Sequence, residues 1–195
     1  MRRSNFARIA AFFAAGVSSL VLLSSSGLGQ GTAAGPLVSR VGKEFWVNSI
    51  RKNYQWQPSI SALSNGNFAV AWADSSYTKP DTDAGAVRVR LFTPGGVAVA
   101  KEFLVNTEYR QDQYTPKVAG YTGGFVVIWG DSSATGSDAS GHAVSGRRFG
   151  NDGTPAGMQT TVNLVSQWDQ DDPALVAKFT NRVALLWANR SLSIR

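Results

Sequence analysis

Apolar and polar positions alternate in short runs along most of the chain, and clusters of Gly, Asn, Asp, Ser and Pro stand between the runs. That is the pattern of short β-strands joined by tight turns. "PSISAL" from Pro58 and "FAVAWA" from Phe68 form one pair around the "SNG" turn at Asn65-Gly66, which suits a hairpin. The polar stretch "DSSYTKPDTDAG" follows, then "AVRVRLF", a "TPGG" turn and "VAKEFLVN". Pro58 opens its strand, where the ladder does not yet need its missing N–H. Past the N-terminal segment helix content is expected to be close to nil.

The same pattern is written again at a fixed distance. "GNFAVAWADSS" begins at Gly66, "GGFVVIWGDSS" at Gly123 and a weaker "NRVALLWANRS" at Asn181. Pro58, Pro116 and Pro173 keep that spacing, as do Trp72, Trp129 and Trp187; Gln55, Gln113 and Gln170 each precede their proline by three residues. Asn48, Asn106 and Asn163 close "EFWVN", "EFLVN" and "TTVN". One unit is therefore about 57 residues, with units at about 44–106, 107–163 and an incomplete 164–195.

Phe68, Val70 and Trp72 fall on one face of the second strand and Ala69, Ala71 and Ala73 on the other; the next unit sets Phe125, Val127 and Trp129 against Val126, Ile128 and Gly130. Both faces are apolar, one large and one mostly small, whereas a sheet wet on one side alternates apolar with polar. The expected fold is all-β: four-stranded antiparallel blades stacked as a partial or truncated β-propeller. The central strand of a β-sandwich fits the same run.

The first 34 residues have the make-up of an export signal: Arg2, Arg3 and Arg8, the apolar "IAAFFAAGVSSLVLL", then small residues with processing sites after Gly29 or Ala34. A retained anchor is the rival reading, although the stretch is rich in Ala, Ser and Gly where about 20 strongly apolar residues are wanted to span. The repeat domain is then 35–195, in a secreted, periplasmic or cell-surface protein with no membrane span after cleavage. Without cysteine, neither disulfides nor a lipid-modified Cys can be present. The formal charge of +6 falls to about +3 once the signal is set aside, 16 basic residues against 13 acidic. No basic cluster interleaved with aromatics remains, so nucleic acid is not an expected partner.

The unit defined by Pro116, Val118, Ala119, Gly124, Phe125, Trp129, Asp131, Gly141, Val144, Arg147, Phe149, Gly153 and Gly157, preceded by Glu102, Phe103, Val105 and Asn106, resembles the propeller-type repeats of large bacterial secreted and surface proteins. Such repeats often accompany repeats-in-toxin or cadherin-like calcium-binding segments. The resemblance covers roughly residues 42–190 and implies a fold and an extracellular setting, with no catalytic residue to carry over. The third unit departs from it: Gln159, Thr160 and Thr161 stand in place of the Glu-Phe pair, and Asn189 replaces the loop Asp. It also ends eight residues past Trp187, which suggests a truncated relative, a fragment of a longer array, or a homo-oligomer that completes a propeller.

Candidate chemistry is sparse. Asp74, Asp81, Asp83, Asp131 and Asp138 lie in the loops after the tryptophan strands and could hold calcium, a hard cation that takes six to eight oxygens. Their spacing is not that of a regular calcium loop, and Asp also favours such loops by bonding its own backbone. Asp169, Asp171 and Asp172 beside Trp168 suggest either a carboxylate pair of the glycosidase kind or a solvated turn. His142, the only histidine, reads as a surface residue whose counterpart in the first unit is Ala86. Tyr54, Trp56, Tyr114 and Trp168 occupy equivalent loops and could form a shallow aromatic surface for a sugar or a protein, or cap the core. The expected function is a secreted, non-catalytic module for protein or glycan interaction; the alternative is a propeller-type glycoside hydrolase or sialidase-like enzyme.

Overall fold

The computed structural model describes residues 7–14, 17–24, 39–177 and 182–190. These residues form strands and no helix, so the all-β expectation holds. Every sheet is antiparallel and has two to four strands. β1 (Ala7–Ala14), β2 (Val17–Ser24) and β3 (Ser39–Trp46) make a three-stranded sheet in that order. β4 (Gln55–Ala62), β5 (Phe68–Asp74), β6 (Ala86–Phe92) and the two-residue β7 (Phe103–Leu104) follow as a four-stranded meander. β8 (Gln113–Tyr121), β9 (Gly124–Asp131), β10 (Ala143–Gly150) and β11 (Thr160–Thr161) repeat that order, and β12 (Asp169–Ala177) with β13 (Val183–Arg190) form a two-stranded sheet. No sheet closes on itself. β1 and β2 lie inside the segment read as an export signal.

The first strand of each unit begins three or four residues before its proline. The register slips between Trp56 and Ser59, between Tyr114 and Lys117, and between Asp171 and Ala174. Gln57, Thr115 and Asp172 take positive φ at these slips, directly before Pro58, Pro116 and Pro173. Proline is thus accommodated by a bulge inside the strand, where its missing N–H leaves no ladder bond unmade, and not by standing at the strand's start.

The two faces of the second strand do different jobs. Ala69 and Ala71, with Val87, Val89 and Leu91, pack against Phe125, Val127, Trp129 and Phe149 of the following sheet. That sheet's other face, through Ala119, Val126, Ile128 and Val144, packs against Leu175, Val183, Leu185 and Trp187. Phe68, Val70 and Trp72 face the opposite way, onto Phe45 and Val47. Small side chains on one face let the neighbouring backbone come close enough for aromatic rings to fill the gap; Ala69, Ala71, Phe125 and Trp129 have no exposed surface.

Polar stitches follow the same order. Ser59, Ser61 and Ser64 hydroxyls accept the backbone N–H groups of Val118, Gly120 and Gly123 at 3.1, 2.9 and 3.1 Å, which satisfies donors that an edge strand would leave open. Arg90 donates to the Val47 carbonyl and Arg147 to the Val105 carbonyl, at 2.9 and 3.0 Å, tying each third strand to the Val-Asn segment that precedes its sheet.

Candidate functional site

The long loops gather at the end of the sheets where second strands finish and first strands begin. Buried amides hold that end. Asn106 Nδ2 donates to Gln113 Oε1, Asp81 Oδ2 and the Glu108 carbonyl, its two protons shared among three acceptors, while its Oδ1 accepts the Val87 N–H at 2.9 Å. Asn163 does the same with Gln170, Asp138, the Val165 carbonyl and the Val144 N–H. Asn48 bonds Gln55 and the Ile50 carbonyl, but its Oδ1, although buried, has no partner among the described residues. Each glutamine turns its own amide back on the loop: Gln55 to Lys52, Gln113 to Arg110 and Gln170 to Gln167. A polar group in a dry setting needs such partners.

The five aspartates considered for calcium serve these latches. Asp74 accepts from Gln55 Nε2, the Ser76 N–H and hydroxyl, and Arg88 Nε at 2.5 Å. Asp131 stands in the equivalent place, but Ser145 Oγ at 2.7 Å and Gln159 Nε2 at 3.1 Å do what Arg88 does for Asp74. Asp81 and Asp138 anchor Asn106 and Asn163, and Asp83 accepts the Gln111 N–H at 2.7 Å. Burial holds the Asp81 carboxyl above its ordinary 3.8, against the lowering effect of the Asn106 bond. Among the described residues no group of three or more His, Cys, Asp or Glu side chains is arranged to hold a metal ion.

The four aromatic candidates separate. Tyr54 sits in the loop before β4, 72% exposed, and Trp168 in the corresponding loop before β12, 41% exposed, with positive φ. Tyr77 and Tyr109, on neighbouring loops of the same end, are also exposed. Trp56 is half-buried in β4 opposite Ala73. Tyr114, in β8, lies against Gly130, where a Cβ would meet its ring at 2.6 Å.

Tyr114 belongs to a cluster that the sequence pattern did not reveal. Its hydroxyl bonds Asp171 Oδ1 in a short contact and lies 3.0 Å from His142 Nδ1; that nitrogen is 3.4 Å from the same Asp171 oxygen. The His142 backbone N–H donates to Asp169 Oδ1 at 3.1 Å, and its carbonyl accepts from the Gln170 N–H. Two of the three acids read as a solvated turn are therefore engaged within β12, and Asp171 is largely buried. An ionised carboxylate only accepts, so the single phenol proton points at Asp171 and His142 Nδ1 must donate to the Tyr114 oxygen. In the neutral form of this half-exposed ring Nε2 is then the acceptor nitrogen. Burial first, then the Asp171 carboxylate, holds the Tyr114 phenol far above its ordinary 10.0, so it keeps its proton. A Ser-His-Asp arrangement would set a hydroxyl against Nε2; here the hydroxyl is on the Nδ1 side and is not activated.

The backbone also moves His142 by one position. Asp74 pairs with Ala86 and Asp131 with Ala143, while Asp112 holds the Gly85 N–H as Asp169 holds that of His142. The counterpart of His142 is Gly85, not Ala86. With that register, Trp56, Tyr114 and Asp171 fall at one position of successive units, directly after the buried glutamine. That unit-to-unit variation is the signal that would have exposed the cluster. No family model matches the chain, and no curated protein or solved structure was found to be similar to it.

Proposed function

We propose that the chain is a secreted, non-catalytic interaction module of propeller-type repeats, which presents its long-loop end to a glycan or protein partner at the cell exterior. The observation that carries this reading is the division of labour at that end. Exposed rings of Tyr54, Tyr77, Tyr109 and Trp168 stand on the loops, while the carboxylates beneath are engaged in latches. Flat, rigid aromatic side chains give contact area at little entropic cost and stack on sugar faces or protein.

The hydrolase alternative needs two carboxyl groups facing each other across an open space, one free to give a proton and one to attack or activate water. Asp169, the counterpart of Asp112, and Asp171, the acid that departs from the unit pattern, instead accept bonds from His142 and Tyr114. Incubating the purified chain with a panel of immobilised polysaccharides tests the reading: retention of the chain without release of reducing ends is the expected result. Release of reducing ends that Asp171→Asn abolishes would establish the hydrolase instead.

A further inference from the structure

Each sheet buries its small-residue face under the large-residue face of the sheet that follows, and β12–β13 breaks that rule. Val176, Ala184 and Leu186 correspond to Ala119, Val126 and Ile128, which are buried under β12–β13 itself. Val176 is 64% and Leu186 70% exposed. β13 also pairs with β12 alone among the described residues, whereas β5 and β9 are paired along both edges. This end of the molecule has an apolar face and an open strand edge.

The opposite end shows the complementary lack. The large face of Phe68, Val70 and Trp72 is closed by Phe45 and Val47 of β3 and the residue after it, with β2 lying against β4. β2 sits beside β3 in the register that β6 keeps with β7: Leu20 pairs with Phe45 as Val89 pairs with Phe103. Yet Asn48 Oδ1, at the end of that strand, lacks the backbone donor that Val87 supplies to Asn106 and Val144 to Asn163. β2 holds the third-strand place without making the third-strand bond.

We propose that a second copy of this chain docks head to tail, the Val176, Ala184 and Leu186 face of one copy meeting the β3 end of the next. The inference rests on the reading of residues 1–34 as a removable export signal, since removal vacates the place beside β3. Continuity selects the occupant: in both earlier sheets this face is covered by a face of large apolar residues, and Phe68, Val70 and Trp72 are the face of that kind at the other end of the chain. Such an interface is heterologous: the two surfaces differ, and association continues until a ring closes or the array stays open.

The chain has no cysteine, so single cysteines report contacts cleanly. Leu186→Cys and Trp46→Cys, both at exposed positions, are prepared separately from the exported chain and treated with a short bismaleimide, alone and mixed. The expected result is a covalent dimer in the mixture and none in either variant alone, with light scattering of the wild type showing at least twice the monomer mass. Adding Ala184→Arg, at another exposed position of that face, to the Trp46→Cys chain should leave that dimer intact, and adding it to the Leu186→Cys chain should return the monomer. Self-linking of Leu186→Cys alone, or a wild type that stays monomeric at every concentration, overturns the proposal. Polysaccharide retention measured on the Ala184→Arg monomer, with no cysteine introduced, separates failure of this contact from failure of the binding reading.

Discussion

Asn106 and Gln113 are joined through their side-chain amides at 2.9 Å, seven residues apart, across the loop that leads from one sheet into the next. The pair closes the fourth strand of one unit onto the first strand of its successor. Because Asn106 also takes the Val87 N–H and holds Asp81, the bond connects two sheets and a long loop at one buried point.

Replacing that residue should therefore cost more than replacing its counterpart at the start of the array. Asn106→Ala leaves a backbone donor and two side-chain acceptors unpaired in a dry site, at about 1–3 kcal/mol for each group left unsatisfied. Asn48→Ala removes a side chain whose Oδ1 has no partner to lose. Urea denaturation should place Asn106→Ala below Asn48→Ala in midpoint, and equal midpoints would contradict the latch.

Arg88 and Glu102 offer a reciprocal test. Arg88→Ser strands the buried Asp74 carboxylate and should cost about 3–5 kcal/mol, as breaking one side of a buried ion pair does. Its counterpart sheet already carries Ser145, with Gln159 donating to Asp131 from the position that Glu102 holds here. Arg88→Ser combined with Glu102→Gln should recover part of the loss, seen as a positive coupling in a double-mutant cycle. Simple additivity would mean that the introduced amide does not reach Asp74.

Tyr114 sets a slope at high pH. With its folded pKa raised, the phenol keeps its proton in the folded protein when the unfolded chain begins to lose it near 10.0. The associated stability is fully present below that value and is lost as pH rises above it, because the unfolded state then binds fewer protons than the folded one. Tyr114→Phe should lower stability at neutral pH by about 1.5–3 kcal/mol, as loss of a hydrogen bond to a charged group does, and should fall less steeply above pH 10 than wild type. Parallel stability curves for the two proteins would contradict the assignment.

Calcium should leave the melting temperature unchanged, because the carboxylates of Asp74, Asp81, Asp131 and Asp138 already accept protein donors. A rise on adding millimolar calcium, reversed by chelator, would restore these loops as ligands.

Strand positions and faces were legible in the chain, because a period of two leaves a direct trace when both faces are buried: Ala69 and Ala71 against Phe68, Val70 and Trp72. The bulges were not, since a residue such as Gln57 gives no local sign of positive φ and the proline after it suits a strand's start equally well. Asn48, Asn106 and Asn163, with Gln55, Gln113 and Gln170, were visible as markers. Their constant seven-residue offset was the clue that they bond to one another. The Tyr114, His142 and Asp171 cluster depends on which residues of separate units share a position, and an alignment one residue out, with His142 set on Ala86, conceals it. The aspartates were legible by type and ambiguous by role, because Asp is equally suited to a cation and to a buried amide.

The most direct test of the account is the equilibrium affinity of the chain for whichever polysaccharide retains it, measured for wild type, Tyr54→Ala and Trp168→Ala with folding checked by circular dichroism. Loss of a ring that stacks on the ligand should weaken binding by about tenfold or more, with the fold unchanged because both rings stand in solvent-exposed loops. Affinity unchanged in both variants, in a chain that still binds, would contradict a binding surface at the long-loop end.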